Sequence, residues 1–249
     1  MRATIDFGNT RGKIVLFDNS GEIRHREVLT GDSEQLSIVC EKWAVKRAIA
    51  STVVPERIDW LREHTPEAVE LHILSHQTPL PIKNGYSTPE TLGMDRLAAV
   101  VGAWTLFPQQ ASLVVDLGTC TTYDLITPEG EYLGGAISPG MEMRGRAMNA
   151  FTAALPLASP YEEAPLVGGS TKGCLRSGVV HGLCFEIEGF RQAYRPRFEI
   201  FNTVLCGGNA QFFETKLKPP IFVSQELVSI GLNAILEHLY SISQPKKSR

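Results

Sequence analysis

One short device occurs twice in this chain. The run DFGNTRGKIVLFD begins at Asp6, and DLGTCTTYDL begins at Asp116. Each opens with Asp, any residue, Gly and a small polar residue, then continues into apolar, β-branched sequence. That pattern reads as strand, tight turn, strand. Gly permits the positive φ of a hairpin turn, and β-branched side chains suit a pleated, half-buried surface. A chain that carries this hairpin twice is constrained to repeat what surrounds it.

The flanks do repeat. RATIDF, KIVLF and EIRHREV read as successive strands separated by the turns GNT and DNSG. SLVVDL, TTYDLIT and EYLGGAIS, separated by GTC and PEG, read the same way. After the first meander, Asp32 is placed to cap a helix, with Gln35 as its capping-box partner. Leu36, Val39, Cys40 and Trp43 then share one face. RAIAST and VELHIL read as strands, and Pro55 opens a short helix between them. Residues 75–93 are rich in Pro, Gly, Asn and Ser and form a long loop, of the kind that carries function. A helix is expected over 94–107, stopped by Pro108.

After the second meander, Pro139 is expected to open a helix through Ala150. A second long loop follows, then a long helix over 172–194. FEIFNTVLCGG is a strand ending in glycines, followed by a short helix, the strand IFVS and an amphipathic helix over 225–240. The tail SQPKKSR is expected to fray. The plan is α/β and duplicated, with domains 1–109 and 110–249 and a ligand cleft between them.

Composition narrows the function classes. A chain of 249 residues buries enough surface to need no disulfide staples. A net charge of −3 gives no electrostatic case for a nucleic-acid partner. The five cysteines are odd in number and none are spaced Cys-x-x-Cys, which argues for reduced thiols in the cytoplasm over a disulfide framework or zinc site. The longest apolar run, LAAVVGAWTLF, has eleven residues and is too short to span a bilayer. The N-terminus enters a strand pattern directly, without a signal-peptide core. A soluble, cytoplasmic protein without a membrane partner is expected.

The hairpins suggest phosphate chemistry. Their turns present backbone N–H groups that anionic oxygens can accept from. The Asp at each strand end can hold a cation or a metal-bound water against phosphates, and Lys13 adds positive charge to the first hairpin. Two such hairpins facing each other would grip a polyphosphate from both sides. Neither Gly-x-x-x-x-Gly-Lys-Ser/Thr nor Gly-x-Gly-x-x-Gly competes with this reading.

YSTPETLGMDR, beginning at Tyr86, lies where the first long loop enters a helix. Asp95 and Arg96 leave that helix about 100° apart. One can face a transferring phosphoryl group while the other holds a substrate anion. Alternatively, Asp95 serves the helix N-terminus and Arg96 is a surface charge. GGAISPG at Gly134 and CGGNA at Cys206 each suit close backbone approach to a ligand, or a structural bend. His72 and His76 are four apart, but the first lies in a strand pattern, so helical metal-ligand spacing does not apply. Cys120, in the second turn, is either reactive or simply small enough to fit.

Together these motifs resemble the type III pantothenate kinases, members of the acetate- and sugar-kinase, chaperone-ATPase and actin superfamily. The resemblance spans nearly the full length. It rests on DFGNTRGK at Asp6, YSTPETLGMDR at Tyr86, DLGTCTTYD at Asp116, GGAISPG at Gly134, TKGCLRSG at Thr171 and GGNA at Gly207. It implies two actin-like (ribonuclease H-like) α/β domains, each with a mixed sheet, an interdomain nucleotide cleft and a homodimer. It also implies ATP-dependent phosphorylation of pantothenate to 4′-phosphopantothenate, with Mg²⁺ and a monovalent cation, K⁺ or NH₄⁺.

Carried onto this chain, Asp95 looks like the general base. Tyr86, Gly93, Met94, Arg96 and Thr171 look like substrate contacts. Asp6, Phe7, Gly8, Asn9, Thr10, Arg11, Gly12, Lys13 and Thr119 look like the ATP site. Asp116 looks like the K⁺ ligand, and Asp6 like a Mg²⁺ ligand through water. Two alternatives stand beside this one: a nucleotide-binding regulatory protein of the same fold without turnover, and a kinase for another hydroxyl substrate such as a sugar.

Overall fold

The computed structural model describes residues 1–8, 12–30, 33–52, 54 and 56–243. The chain forms two compact units. Met1–Pro108, Gly130–Tyr132 and the chain from Glu226 onward make the first; Gln109–Glu129 and Leu133–Gln225 make the second.

In the first unit, β1 (Arg2–Phe7), β2 (Gly12–Phe17) and β3 (Ile23–Leu29) form an antiparallel meander. β4 (Arg47–Thr52) and β5 (Glu70–Ile73) add in parallel on the other side of β1, giving the order β3-β2-β1-β4-β5. The register sets Asp6 opposite Lys13 on β2 and Ser51 on β4. Alternate residues of β1, Ala3, Ile5 and Phe7, enter a core with Leu36 and Val39 of α1 (Ser33–Lys42) and Leu61 of α2 (Glu56–His64). This is the period-two burial of a sheet face covered by helices.

α3 (Met94–Leu106) and α7 (Leu227–Ser243) pack closely on each other, and α7 also packs on β1 and β4. A Cβ on Gly102 or Gly231 would strike the other helix's backbone, so these glycines permit the approach. A simple cut into 1–109 and 110–249 therefore does not describe the units. The C-terminal helix, expected in the second domain, buries Leu227, Leu232, Ile235 and Leu236 in the first.

The second unit repeats the plan. β7 (Ala111–Leu117) pairs antiparallel with β8 (Cys120–Ile126), and β9 (Glu131–Pro139) follows. β10 (Phe201–Cys206) and β11 (Phe222–Val223) add in parallel, so the order β9-β8-β7-β10-β11 mirrors that of the first unit. α5 (Thr171–Tyr194) lays Val179, Val180, Leu183 and Ile187 on Leu113, Val115, Tyr123 and Leu205. α4 (Met141–Ala150) and α6 (Ala210–Glu214) complete it. The α/β, duplicated mixed-sheet class is thus as expected.

Details differ. The loop over 75–93 holds a two-residue strand, β6 (Lys83–Asn84), and a 3-10 turn, Pro89–Thr91. β6 pairs with Glu131 and Tyr132, which is why these two residues group with the first unit. Pro139 ends β9 instead of opening α4; extended backbone continues through Gly140 (φ −68°, ψ 170°), which is the N-cap. Gln35 accepts from the Thr30 N–H (2.9 Å) and donates to Glu27 and Val28. Asp32, Pro55 and residues 244–249 lie outside the described residues. Among the described residues, no helix is long and apolar enough to cross a membrane.

Candidate active site

The first unit gathers most of the candidate residues. Asp6, near the end of β1, accepts a hydrogen bond from Ser51 Oγ at 2.6 Å. Burial raises its pKa from 3.8 to about 6; the Ser51 bond opposes that rise, the Asp95 carboxylate adds to it and the Lys13 ammonium opposes it. The charges of Asp95 and Lys13 therefore both reach Asp6. Lys13 Nζ also lies 2.5 Å from Glu226, and Glu226 holds Arg26 Nε at 3.0 Å.

Asp95 stands in the first turn of α3, where Gly93 is the N-cap. Its Oδ1 accepts the Arg96 N–H at 2.8 Å. The carboxylate thus does serve the helix N-terminus, one of the two readings left open by spacing. Arg96, however, is not a surface charge: it is only 9% exposed. Its guanidinium lies over the Tyr86 ring at 5.7 Å, and that ring stacks on Tyr132 with centroids 5.9 Å apart. Met94, beside them, is partly buried. Phe7, the last residue of β1, turns its ring into the core against Trp60 (5.5 Å, edge-on). Gly8 follows it and Gly12 opens β2; Asn9, Thr10 and Arg11 lie outside the described residues.

In the second unit three of the sequence motifs converge on one turn. Gly118 N–H donates to Cys120 O (3.1 Å), Gly140 N–H to Thr119 O (3.2 Å), and Asn209 N–H to Leu117 O (3.0 Å). Gly207 has φ +84° and packs on Asp116 and Leu117 so tightly that a Cβ would collide with both. Gly207→Ala is therefore expected to destabilise the fold. The left-handed backbone alone costs a side chain roughly 1–2 kcal/mol, and the collision adds to it. A urea unfolding midpoint equal to wild type would refute the crowding. Thr171 is exposed in the first turn of α5, beside the N-cap Ser170, whose side chain accepts from Gly173 N–H (3.1 Å).

The comparisons with known proteins bear on this arrangement. The sequence model for "Type III pantothenate kinase" matches residues 3–193. The chain belongs to the type III pantothenate kinase family. The type III pantothenate kinase of Phocaeicola vulgatus is 42% identical to it over 243 residues, covering 96% of this chain and 98% of its own. That of Cytophaga hutchinsonii is 44% identical over 238 residues, covering 96% and 99%. Among solved structures, a chain from Campylobacter jejuni provisionally described as a Baf family transcriptional activator superposes with a TM-score of 0.64 at 18% identity, covering 96% and 99%. The activator of 2-hydroxyisocaproyl-CoA dehydratase from Clostridium difficile, with bound ADPNP, gives 0.53 at 14%, covering 99% of each. These two share the fold.

For a type III pantothenate kinase, sequence reasoning missed three neighbours of the candidate residues. Ser51 is one of two adjacent hydroxyl residues at the end of an apolar strand, a weak signal. Tyr132 and Glu226 gave none, since their partners lie far away in sequence. Asp6 in the first unit and Asp116 in the second each offer carboxylate oxygens, the ligand type that a hard cation such as Mg²⁺ accepts. Gly207 brings its backbone so close to Asp116 that any side chain there would strike the carboxylate. Among the described residues, no three His, Cys, Asp or Glu side chains converge to hold a metal by themselves. A cation at either carboxylate would complete its shell with phosphate oxygens, carbonyls or water.

Proposed function

We infer that this chain transfers the γ-phosphoryl group of ATP to the hydroxyl of pantothenate, giving 4′-phosphopantothenate for coenzyme A synthesis. Family membership supports the reaction. One observation carries the assignment of roles: the carboxylates of Asp6 and Asp95, from the hairpin strand and the loop–helix motif, lie close enough for one charge to raise the other's pKa.

In this reading Asp95 takes the proton from the attacking hydroxyl, which first needs hydrogen-bond reach. Arg96, with its guanidinium over the Tyr86 ring, pairs with the pantothenate carboxylate through two parallel N–H bonds. Tyr86, Gly93, Met94 and Thr171 complete the substrate contacts. Residues 6–13 and Thr119 contact ATP, with Lys13 supplying charge to the phosphates. Asp6 would hold Mg²⁺ through water and Asp116 a K⁺ or NH₄⁺ ion. Such cations neutralise phosphate charge, which together with positioning is most of what phosphoryl transfer requires. The protein acts as a cytoplasmic homodimer. The regulatory alternative is not favoured, because the relatives are kinases and both Asp95 and Arg96 are present.

Purified protein given ATP, Mg²⁺ and pantothenate should form 4′-phosphopantothenate, faster with K⁺ or NH₄⁺ than with Na⁺. ATP binding without product would restore the regulatory reading. Turnover of a sugar in preference to pantothenate would point to another hydroxyl kinase. Equal rates with all three cations would remove the K⁺ role from Asp116.

A further inference from the structure

A half-buried polar cluster in the second unit plays no part in these roles. Glu186, midway along α5, accepts from Tyr123 Oη (2.7 Å) and Ser138 Oγ (2.6 Å) on one oxygen, and from Arg144 Nη2 (2.7 Å) on the other. Arg144 also donates to Ser138 Oγ (3.1 Å), and its Nε donates to the Pro139 carbonyl (2.8 Å). The Glu186 and Arg144 side chains are 27% and 20% exposed. A carboxylate with three donors and a matching cation, this far out of water, makes a stiff network. The three donors draw its pKa below the ordinary range, against the opposing effect of burial.

What this network grips is the segment from Ser138 to Gly140. Ser138 is held by its hydroxyl and Pro139 by its carbonyl. The next residue, Gly140, donates its N–H to the Thr119 carbonyl. It lies so close to the Gly118 and Thr119 backbone that a Cβ would collide with both carbonyl oxygens. A continuous path of bonds thus runs from Glu186 through Ser138 and Pro139 to Gly140, and from there to the second hairpin turn. A turn that offers N–H groups to an anion works only if those groups are already aimed.

We propose that Glu186 and Arg144 are positioning residues for the Gly118–Thr119 turn, presetting it for the phosphates of ATP. This rests on the reading of Thr119 as a nucleotide contact. The competing account is that the network merely ties α5 to the sheet, in which case its loss would cost stability without singling out one substrate.

The test compares full-length Glu186→Gln and Thr119→Val with wild type, measuring kcat, KM for each substrate and the thermal midpoint. Glutamine keeps an acceptor but loses the charge that holds Arg144. The expected result for Glu186→Gln is a KM for ATP raised roughly tenfold, because small misplacements of a positioning group are costly. KM for pantothenate should stay unchanged. Thr119→Val should raise KM for ATP as well. If Thr119→Val raises it and Glu186→Gln does not, the positioning role is refuted and the nucleotide contact stands. If neither raises it, the nucleotide role of Thr119 falls and the proposal with it. If Glu186→Gln lowers the thermal midpoint and shifts both KM values alike, the cluster is structural only. Should Glu186→Gln fail to fold, Ser138→Ala removes fewer bonds and is read by the same criteria.

Discussion

Replacing Asp95 by Asn should lower kcat by roughly 10²–10⁴-fold, the range that a positioned general base supplies, with little change in KM for pantothenate or ATP. The structure makes this substitution a clean one. Asn retains an oxygen in the place of Oδ1, so the bond from the Arg96 N–H in the first turn of α3 can persist. The helix carrying Arg96 therefore keeps its start, and the substrate carboxylate keeps its partner. What disappears is the negative charge and the site for the proton. Removing that charge also relieves one of the pushes on Asp6, so the folded chain should be no less stable. Steady-state kinetics and a thermal melt on one preparation decide the matter. Normal turnover would remove Asp95 as the base. A large rise in KM for pantothenate with kcat preserved would make it a binding group. A fall in the melting midpoint would assign it to the helix end alone.

The duplicated meander was legible because its signals are local. A strand alternates over a few residues, a turn needs Gly at one position, and both copies carry these in the same order, which the matching strand orders of the two units reflect. Local signals say less about where a finished element goes. The amphipathic pattern of α7 shows that it must bury a face, but nothing in it names α3 as the partner. Tyr132 reads as an ordinary strand residue, yet its pairing with β6 takes it into the first unit and under Tyr86. Glu186 looks like any charge on a long helix; only β8, β9 and α4 together give it three donors. The candidate site was legible where its residues sit in compact motifs, such as Asp95 beside Arg96. It was illegible where one side chain supports another across the fold, as Ser51 does for Asp6 and Glu226 for Lys13.

Asp6 should move stability and activity in opposite directions. Its pKa is about 6 in the folded chain against an ordinary 3.8, so between those values the folded state binds more protons than the unfolded one. The stability that the protonated carboxyl contributes is complete below the unfolded pKa and is lost as pH rises through the folded one. At neutral pH the ligand-free fold therefore bears the cost of a buried charge, at most about 3 kcal/mol for a shift of roughly two pH units. Asn carries no charge and still offers an oxygen to Ser51. Asp6→Asn is thus expected to stabilise the protein at neutral pH by up to that amount and to give nothing once the wild-type carboxyl is protonated in acid. Activity should fall by roughly 10²-fold or more, as when a preorganised electrostatic group at a phosphoryl site is lost. Urea unfolding at neutral and acid pH, read beside kcat/KM, separates the two effects. A variant no more stable at neutral pH would mean that the charge of Asp6 is not strained. A fully active variant would take Asp6 out of the site. Stabilisation together with inactivity is the signature of a carboxylate kept ionised against the preference of the fold, because a cation and a polyphosphate need it there.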